Sequence, residues 1–363
     1  MEGYYTAPLK WAWALRFHTS EDAMMPLVSV VMSTHNDAPY LLEAVESILT
    51  QSLTDLELIL IDDASSDATP QVIAQIKDPR LIVVRNEQNR GLTHSLNRGL
   101  ALAQGRYIAR MDADDIAIPA TRLADQVAWM EAHPHVGMLC GDMTYIGPDG
   151  DYLEGGKAFY NQAGGHSYLR WRLLWGNPVS HITVLMHHDI LKQHQIQYDP
   201  AYNNTEDYEL WARLSHLTQL ARADVVWAKR RVLSSSVSQT NLTRQLGLAQ
   251  AIMGREMALL LGYAPAPEAV ECLFNLVHRP EVAPTYSRAG AALLVQLYQR
   301  HAALLQPSPS DQAIIQGEAV GYLLRLARLT KRFTDRWAVL QALRTIKARE
   351  FYSWNGLKMA IRG

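Results

Sequence analysis

The 363-residue chain predicts an α/β fold, a mostly parallel sheet flanked by helices, followed by an all-helical C-terminal region. Three observations predict it. Short β-rich apolar runs alternate with helical patterns through the first part of the chain. Polar or acidic turns follow those runs. From about residue 243 strand signals vanish, and long Ala/Leu-rich patterns continue, broken at Pro265-Ala266-Pro267, Pro280 and Pro307-Ser308-Pro309.

In order, residues 27–32 (Leu-Val-Ser-Val-Val-Met) form a continuous run suited to a buried parallel strand, ending in Ser33-Thr34-His35-Asn36-Asp37. Pro39 suits the first turn of a helix, with Asp37 or Ala38 near its cap and Leu41, Leu42, Val45, Ile48 and Leu49 on one face. Residues 56–61 read as a second buried strand, ending in Asp62-Asp63-Ala64-Ser65-Ser66-Asp67. Thr69-Pro70 starts a helix, with Thr69 as N-cap. Residues 81–84 are a third strand. Asn89-Arg90-Gly91 leads into a helix with Leu96, Leu100 and Ala103 on one face, stopped by Gly105 as a left-handed cap.

The central strand follows in Tyr107-Ile108-Ala109-Arg110-Met111-Asp112-Ala113-Asp114-Asp115, where an apolar run ends in three carboxylates. Residues 119–133 read as a helix, 136–141 as a strand, 147–150 as a turn, 151–180 as a loop with a short helix beside the site, and 182–186 as another strand. Thr205 opens a helix whose Leu210, Trp211 and Leu214 face the core. The domain plan is an extension over 1–25, an α/β domain over 26–240 and a helical domain over 241–363.

In parallel sheets ligands bind beyond the carboxyl ends of the strands, and Ser33, Asp62-Asp63 and the acids at 112–115 all lie there. Crowded carboxylates repel one another, and a hard divalent cation with oxygen ligands relieves this. The acids therefore read either as a metal–diphosphate site or as an acidic loop capping the next helix. Glu206 and Asp207 read equally as helix-start acids or as site acids. No dinucleotide or P-loop glycine signature follows the first strand.

Composition sets limits. With 48% apolar and 19% charged residues and a net charge of −2, the chain lacks the basic footprint of a nucleic-acid binder. Cys140 and Cys272 are too few for a disulfide framework, so a reducing, cytoplasmic setting is the expectation, and Cys140 suits a core. No apolar run of membrane-spanning length and no signal-peptide order is present. Residues 9–17, aromatic and mildly basic, could dock on a membrane or on the domain. From 322 to 363, ten Arg or Lys face Asp335 and Glu350, interleaved with Leu and Trp. This is either a solvated helical face or a peripheral contact with the cytoplasmic face of a membrane.

Taken together, residues 28–36, 57–69, Asn89-Arg90-Gly91, 103–115 and 205–211 resemble glycosyltransferase family 2, inverting enzymes of GT-A fold, over roughly residues 26–240. The resemblance implies a nucleotide-diphosphate sugar donor, UDP-linked before GDP or dTDP. It implies a saccharide or lipid-linked saccharide acceptor, and Mn²⁺ or Mg²⁺ as cofactor. Ser33, Thr34, Asn36, Asp62, Asp63, Arg90, Asp112, Ala113 and Asp115 would contact the donor. Asp114, with Asp112, would hold the metal. In the Glu206-Asp207 pair, Asp207 would be the general base, and Asn177 with His181 would lie on the acceptor side, although His181 also suits an ordinary buried histidine. The chain departs in having His35 where the family often has Tyr, and in lacking the Gln-x-x-Arg-Trp motif of processive members. Instead Lys229-Arg230-Arg231 precedes a Ser-rich run at 234–238, which implies single-sugar transfer. The competing readings are a non-catalytic nucleotide-sugar-binding scaffold and a sugar nucleotidyltransferase, the latter lacking its Gly-rich loop at 32–39.

Overall fold

The computed structural model describes residues 25–153, 163–233 and 242–346. The expectations for 9–17, the Ser-rich run and the last 17 residues therefore lie outside the described residues. Four strands, β1 (Val28–Thr34), β2 (Leu56–Asp62), β3 (Leu81–Arg85) and β4 (Tyr107–Asp112), pair in parallel in the order β3-β2-β1-β4. Helices α1 (Leu41–Leu49), α2 (Thr69–Gln75) and α3 (Leu92–Leu102) connect them. Beyond β4 the sheet continues through β7 (Leu185–His187), β6 (Val136–Ile146), β8 (Gln219–Arg231) and the two-residue β5 (Ile116–Ala117). There β7 runs antiparallel to β4 and β6, while β6 and β8 are parallel. The sheet is thus mixed but mostly parallel, as expected. It is covered by α4 (Arg122–Ala132), α5 (His166–Leu173), α6 (His188–Gln193) and α7 (Glu206–Leu214).

Register makes the site edge. Ser33 is level with Asp112 and Thr34 with Asp62, so the polar ends of three neighbouring strands lie side by side. β1, β2 and β4 are buried on both faces, which is why their sequences are near-continuous apolar runs.

Several local expectations change. α1 begins at Leu41, after a turn in which the Asp37 carbonyl accepts from the N–H groups of Tyr40 and Leu41, so Pro39 precedes the helix; Leu42 points to solvent. Thr69 lies within α2, and its Oγ1 accepts from the Asp37 N–H (3.0 Å) instead of capping. α4 starts at Arg122, not Pro119, because Pro119 belongs to the turn that receives the Arg122 N–H (2.9 Å). A 3₁₀ turn, His181–Thr183, replaces the start of the strand expected at 182. Gly105 is not a left-handed cap. It is required because a Cβ there would stand 2.4 Å from the Ser29 backbone nitrogen.

The helical region consists of α8 (Leu242–Leu261), α9 (Pro267–His278), α10 (Ser287–Leu305), α11 (Pro309–Leu329) and α12 (Phe333–Thr345). Its core is shared with the sheet domain, since Tyr168, Trp171, Leu174 and Trp175, from α5 and the turn after it, are buried among its leucines. Among the described residues no helix is long and apolar enough to cross a membrane. Both cysteines are buried and free.

Candidate active site

Asp112 ends β4, and Asp114 and Asp115 follow in the turn to β5. Single oxygens of the three carboxylates lie within 4.8 Å of one another. Arg231, on β8, builds the floor of this turn. Its N–H donates to Asp115 Oδ1 (2.7 Å) and its guanidinium donates to the Asp114 carbonyl (3.0 Å) and the Pro148 carbonyl (2.7 Å). It also pairs with Glu43 (2.6 Å) and stacks on Tyr40. Arg110, fully buried, pairs with Asp112 and donates to the Met111 carbonyl.

These partners set the charges. Burial, then Asp112 and Asp37, push the Asp114 carboxyl up to about 7. Burial, then Asp112 and Asp114, push Asp115 well above the usual range. Burial is the largest influence on Asp112 and opposes its ionisation, but the attraction and hydrogen bond of Arg110, with His181 and Arg230, together outweigh it and hold this acid low. Three clustered acid groups that resist joint ionisation, all offering oxygen, form a donor set that fits a hard divalent cation.

The second acidic group is Glu206-Asp207, at the start of α7. Asp207 Oδ2 accepts from Asn177 Nδ2 (2.7 Å) and Oδ1 from the Tyr208 N–H (2.7 Å), so both its oxygens are held at the helix start. Burial raises its pKa against these bonds. Glu206 Oε2 is buried without a hydrogen-bond partner, and burial, then Asp207, push this acid up to about 7. Arg230 joins the two groups, because its charge favours the ionised forms of Asp112, Asp114, Asp115 and Asp207 alike. It makes no hydrogen bond or ion pair among the described residues, which leaves its donors available.

His181 Nε2 meets the Tyr198 hydroxyl (2.7 Å), its ring edges onto Trp211, and Arg110 and Asp112 act on it electrostatically. Burial, then Arg110, depress its pKa to about 3, so it is neutral. It is therefore a packed histidine that also borders the acidic site.

The residues expected to contact the donor nucleoside sit at the ends of β1 and β2 and in the loops that follow. Asn36, in the left-handed region at φ 62°, accepts from the Ser66 N–H (2.8 Å), tying the two loops together. Thr34 Oγ1 donates to Asp37 (2.9 Å). Ser33 is half-buried at the end of β1, and Ala113 is buried between the acids. Asp62 is buried, paired with Arg85, and accepts from the Ser65 N–H (2.9 Å). Asp63 accepts from the N–H groups of Arg90 (2.9 Å) and Gly91 (2.8 Å) and from Asn86 Nδ2 (2.6 Å), so its carboxylate shapes the loop after β3. The Arg90 side chain lines an open pocket of about 660 Å³ with Arg85, Asn86, His94 and Arg98.

Sequence reasoning missed Arg110, Asp37 and Tyr198. For Arg110 a signal existed, since a strand alternates faces and residue 110 shares its face with Asp112.

Residues 29–193 match the family model described as glycosyl transferase family 2. An uncharacterized glycosyltransferase of Haemophilus influenzae is 31% identical over 220 residues, covering 59% of this chain and 68% of that protein. The chain belongs to glycosyltransferase family 2. The succinoglycan biosynthesis protein ExoO of Rhizobium meliloti is 26% identical over 316 residues, covering 85% of this chain and 88% of ExoO. Among solved structures, residues 1–349 of S. aureus TarS in complex with UDP-GlcNAc superpose with a TM-score of 0.57 at 17% identity, covering 90% of this chain and 91% of that chain. This likeness carries the fold, which is GT-A. The family membership makes the protein a glycosyltransferase, and members of the family generally use a divalent metal.

Proposed function

We propose that this glycosyltransferase moves one sugar, with inversion, from a UDP-sugar to a glycan or lipid-linked saccharide, as a step in polysaccharide assembly. The observation that carries the reading is the pairing of two acidic groups, Asp112/Asp114/Asp115 and Glu206/Asp207, within electrostatic reach of Arg230. UDP rests on the TarS complex, and the polysaccharide setting on ExoO, each a property of that protein.

Asp114 and Asp112 would hold Mn²⁺ or Mg²⁺, which when bound supplies positive charge to the diphosphate leaving group. Arg230 adds a fixed charge to the same phosphates. Asp207 takes the proton of the acceptor hydroxyl as that oxygen bonds to the anomeric carbon and the carbon–phosphate-oxygen bond breaks. A single displacement from the face opposite the nucleotide inverts the centre. Each Asp207 oxygen already accepts one hydrogen bond, which fixes the carboxylate plane and leaves a lone pair on each for the incoming hydroxyl. Its raised pKa makes it a stronger base.

The test is calorimetric titration with UDP, GDP and dTDP, each with Mn²⁺ and with chelator. UDP binding that requires the metal, lost in Asp114→Ala, supports the reading. Asp207→Asn should retain that binding and lose transfer; full transfer by this variant would remove Asp207 from the mechanism.

A further inference from the structure

α12 carries two apolar stripes. Val339 and Ala342, with Ile346 just beyond, are buried in the helical core. Phe333, Trp337 and Leu340 lie on the opposite side at i, i+4 and i+7, and are 81%, 57% and 41% exposed. An ordinary solvated helix face carries charge there, not a Phe-Trp-Leu stripe. Around the stripe stand Lys331, Arg332, Arg336 and Arg344, all exposed, against the single acid Asp335, a net +3 for residues 331–344. None of the four cations has an ion-pair partner among the described residues.

We propose that this face of α12 docks the protein on the surface of an anionic phospholipid bilayer. Aromatic rings with flanking Arg and Lys on one helix face suit the interface, where rings enter the acyl boundary and cations meet headgroup phosphates. Each basic residue near an anionic surface strengthens binding about fivefold. Charge argues against the other occupants. A second copy, docked face to face, would set +3 against +3. The chain's own last 17 residues, 347–363, carry Lys347, Arg349, Lys358 and Arg362 against Glu350, so they also bring +3 to a +3 surface. The buried stripe fixes α12 to the domain, so the outer stripe is presented as a rigid platform. The proposal does not depend on the donor site.

The experiment is vesicle flotation of the full chain, using phosphatidylcholine vesicles and the same vesicles containing phosphatidylglycerol. The wild type should bind the anionic vesicles, more weakly as salt rises, and should leave the neutral ones. Phe333→Ser/Trp337→Ser/Leu340→Ser should bind at least about tenfold more weakly while keeping the wild-type unfolding transition. Arg336→Glu/Arg344→Glu should lose at least about tenfold as well, four charge units having changed sign or vanished. A wild type that ignores anionic vesicles overturns the proposal. So does an apolar triple variant that binds them as tightly as the wild type. A wild-type dimer that the triple variant converts to monomer also overturns it, by assigning the face to a second copy.

Discussion

Glu206→Gln should stabilise the protein at neutral and alkaline pH. Glu206 is buried, its Oε2 has no hydrogen-bond partner, and burial, then Asp207, lift its pKa from 4.5 to about 7. Below pH 4.5 the folded and unfolded chains both hold the proton, and the side chain contributes its full share of stability. Between 4.5 and about 7 the unfolded chain releases the proton first. That stability is therefore lost as pH rises through the folded-state value. At 1.36 kcal/mol per pH unit the loss is about 3 kcal/mol, complete by about pH 8. Gln has nearly the same shape and never ionises, so the variant escapes this loss. Urea denaturation of both proteins in chelator, from pH 4 to 8, is the assay. Acids that do not interact with Glu206 titrate over the same range but cancel in the difference between the two proteins; Asp207, which does interact, adds the relief of its own repulsion and leaves the sign unchanged. That difference should grow from near zero at pH 4 to about 3 kcal/mol at pH 8 in favour of the variant. A difference independent of pH, or a variant less stable at pH 8, would refute the view of Glu206 as a strained buried acid.

Two further outcomes follow from the geometry. Asn177→Ala removes one hydrogen bond to the Asp207 carboxylate, worth about 1.5–3 kcal/mol, so the acidic limb of the kcat/KM–pH profile should move about 1–2 pH units upward with donor binding unchanged; an unmoved limb would detach Asn177 from the base. Gly105→Ala drives a Cβ to 2.4 Å from the Ser29 backbone nitrogen and should cost about 2–3 kcal/mol in denaturation, whereas a neutral result would mean that the β1–Gly105 approach relaxes freely.

The sequence made the first half of the sheet legible because its signals are local. An apolar run ending in an acidic turn defines both a buried strand and the edge where ligands bind, and Ser33 does lie level with Asp112 and Thr34 with Asp62. β8 was not legible. Its residues include exposed Asp224, Val225 and Val226, and it exists by pairing with β6, some 80 residues earlier, across three register shifts. Reading 229–231 as a basic segment therefore missed that strand pairing divides their labour. Arg231 is buried under the acidic turn, while Arg230 is left free to act on the carboxylates. Gly105 shows the same limit, since a glycine at a helix end reads as a cap until the neighbouring backbone is placed. Asp63 shows it too: the resemblance implies nucleoside contact for it, whereas its bonds to Asn86, Arg90 and Gly91 appear only with the fold.

The helical region bears on the acidic site through the backbone that carries Asn177. His278 Nε2, on α9, donates to the Trp175 carbonyl (2.7 Å), and a Cβ at the intervening Gly176, at φ 155°, would lie 3.2 Å from that imidazole. The next residue is Asn177, which binds Asp207. On the other side of Asp207, Glu209 of α7 is buried in pairs with Arg213 and with Arg255 of α8, and His216 meets Glu256 at 2.6 Å. Both anchors of the Glu206-Asp207 segment thus rest on helices beyond residue 241. Burial is the largest cause of the raised pKa of both acids. A buried carboxylate keeps its basicity only while water is excluded from behind it. The C-terminal helices therefore back the Glu206-Asp207 segment from both sides, through His278 and through Arg255.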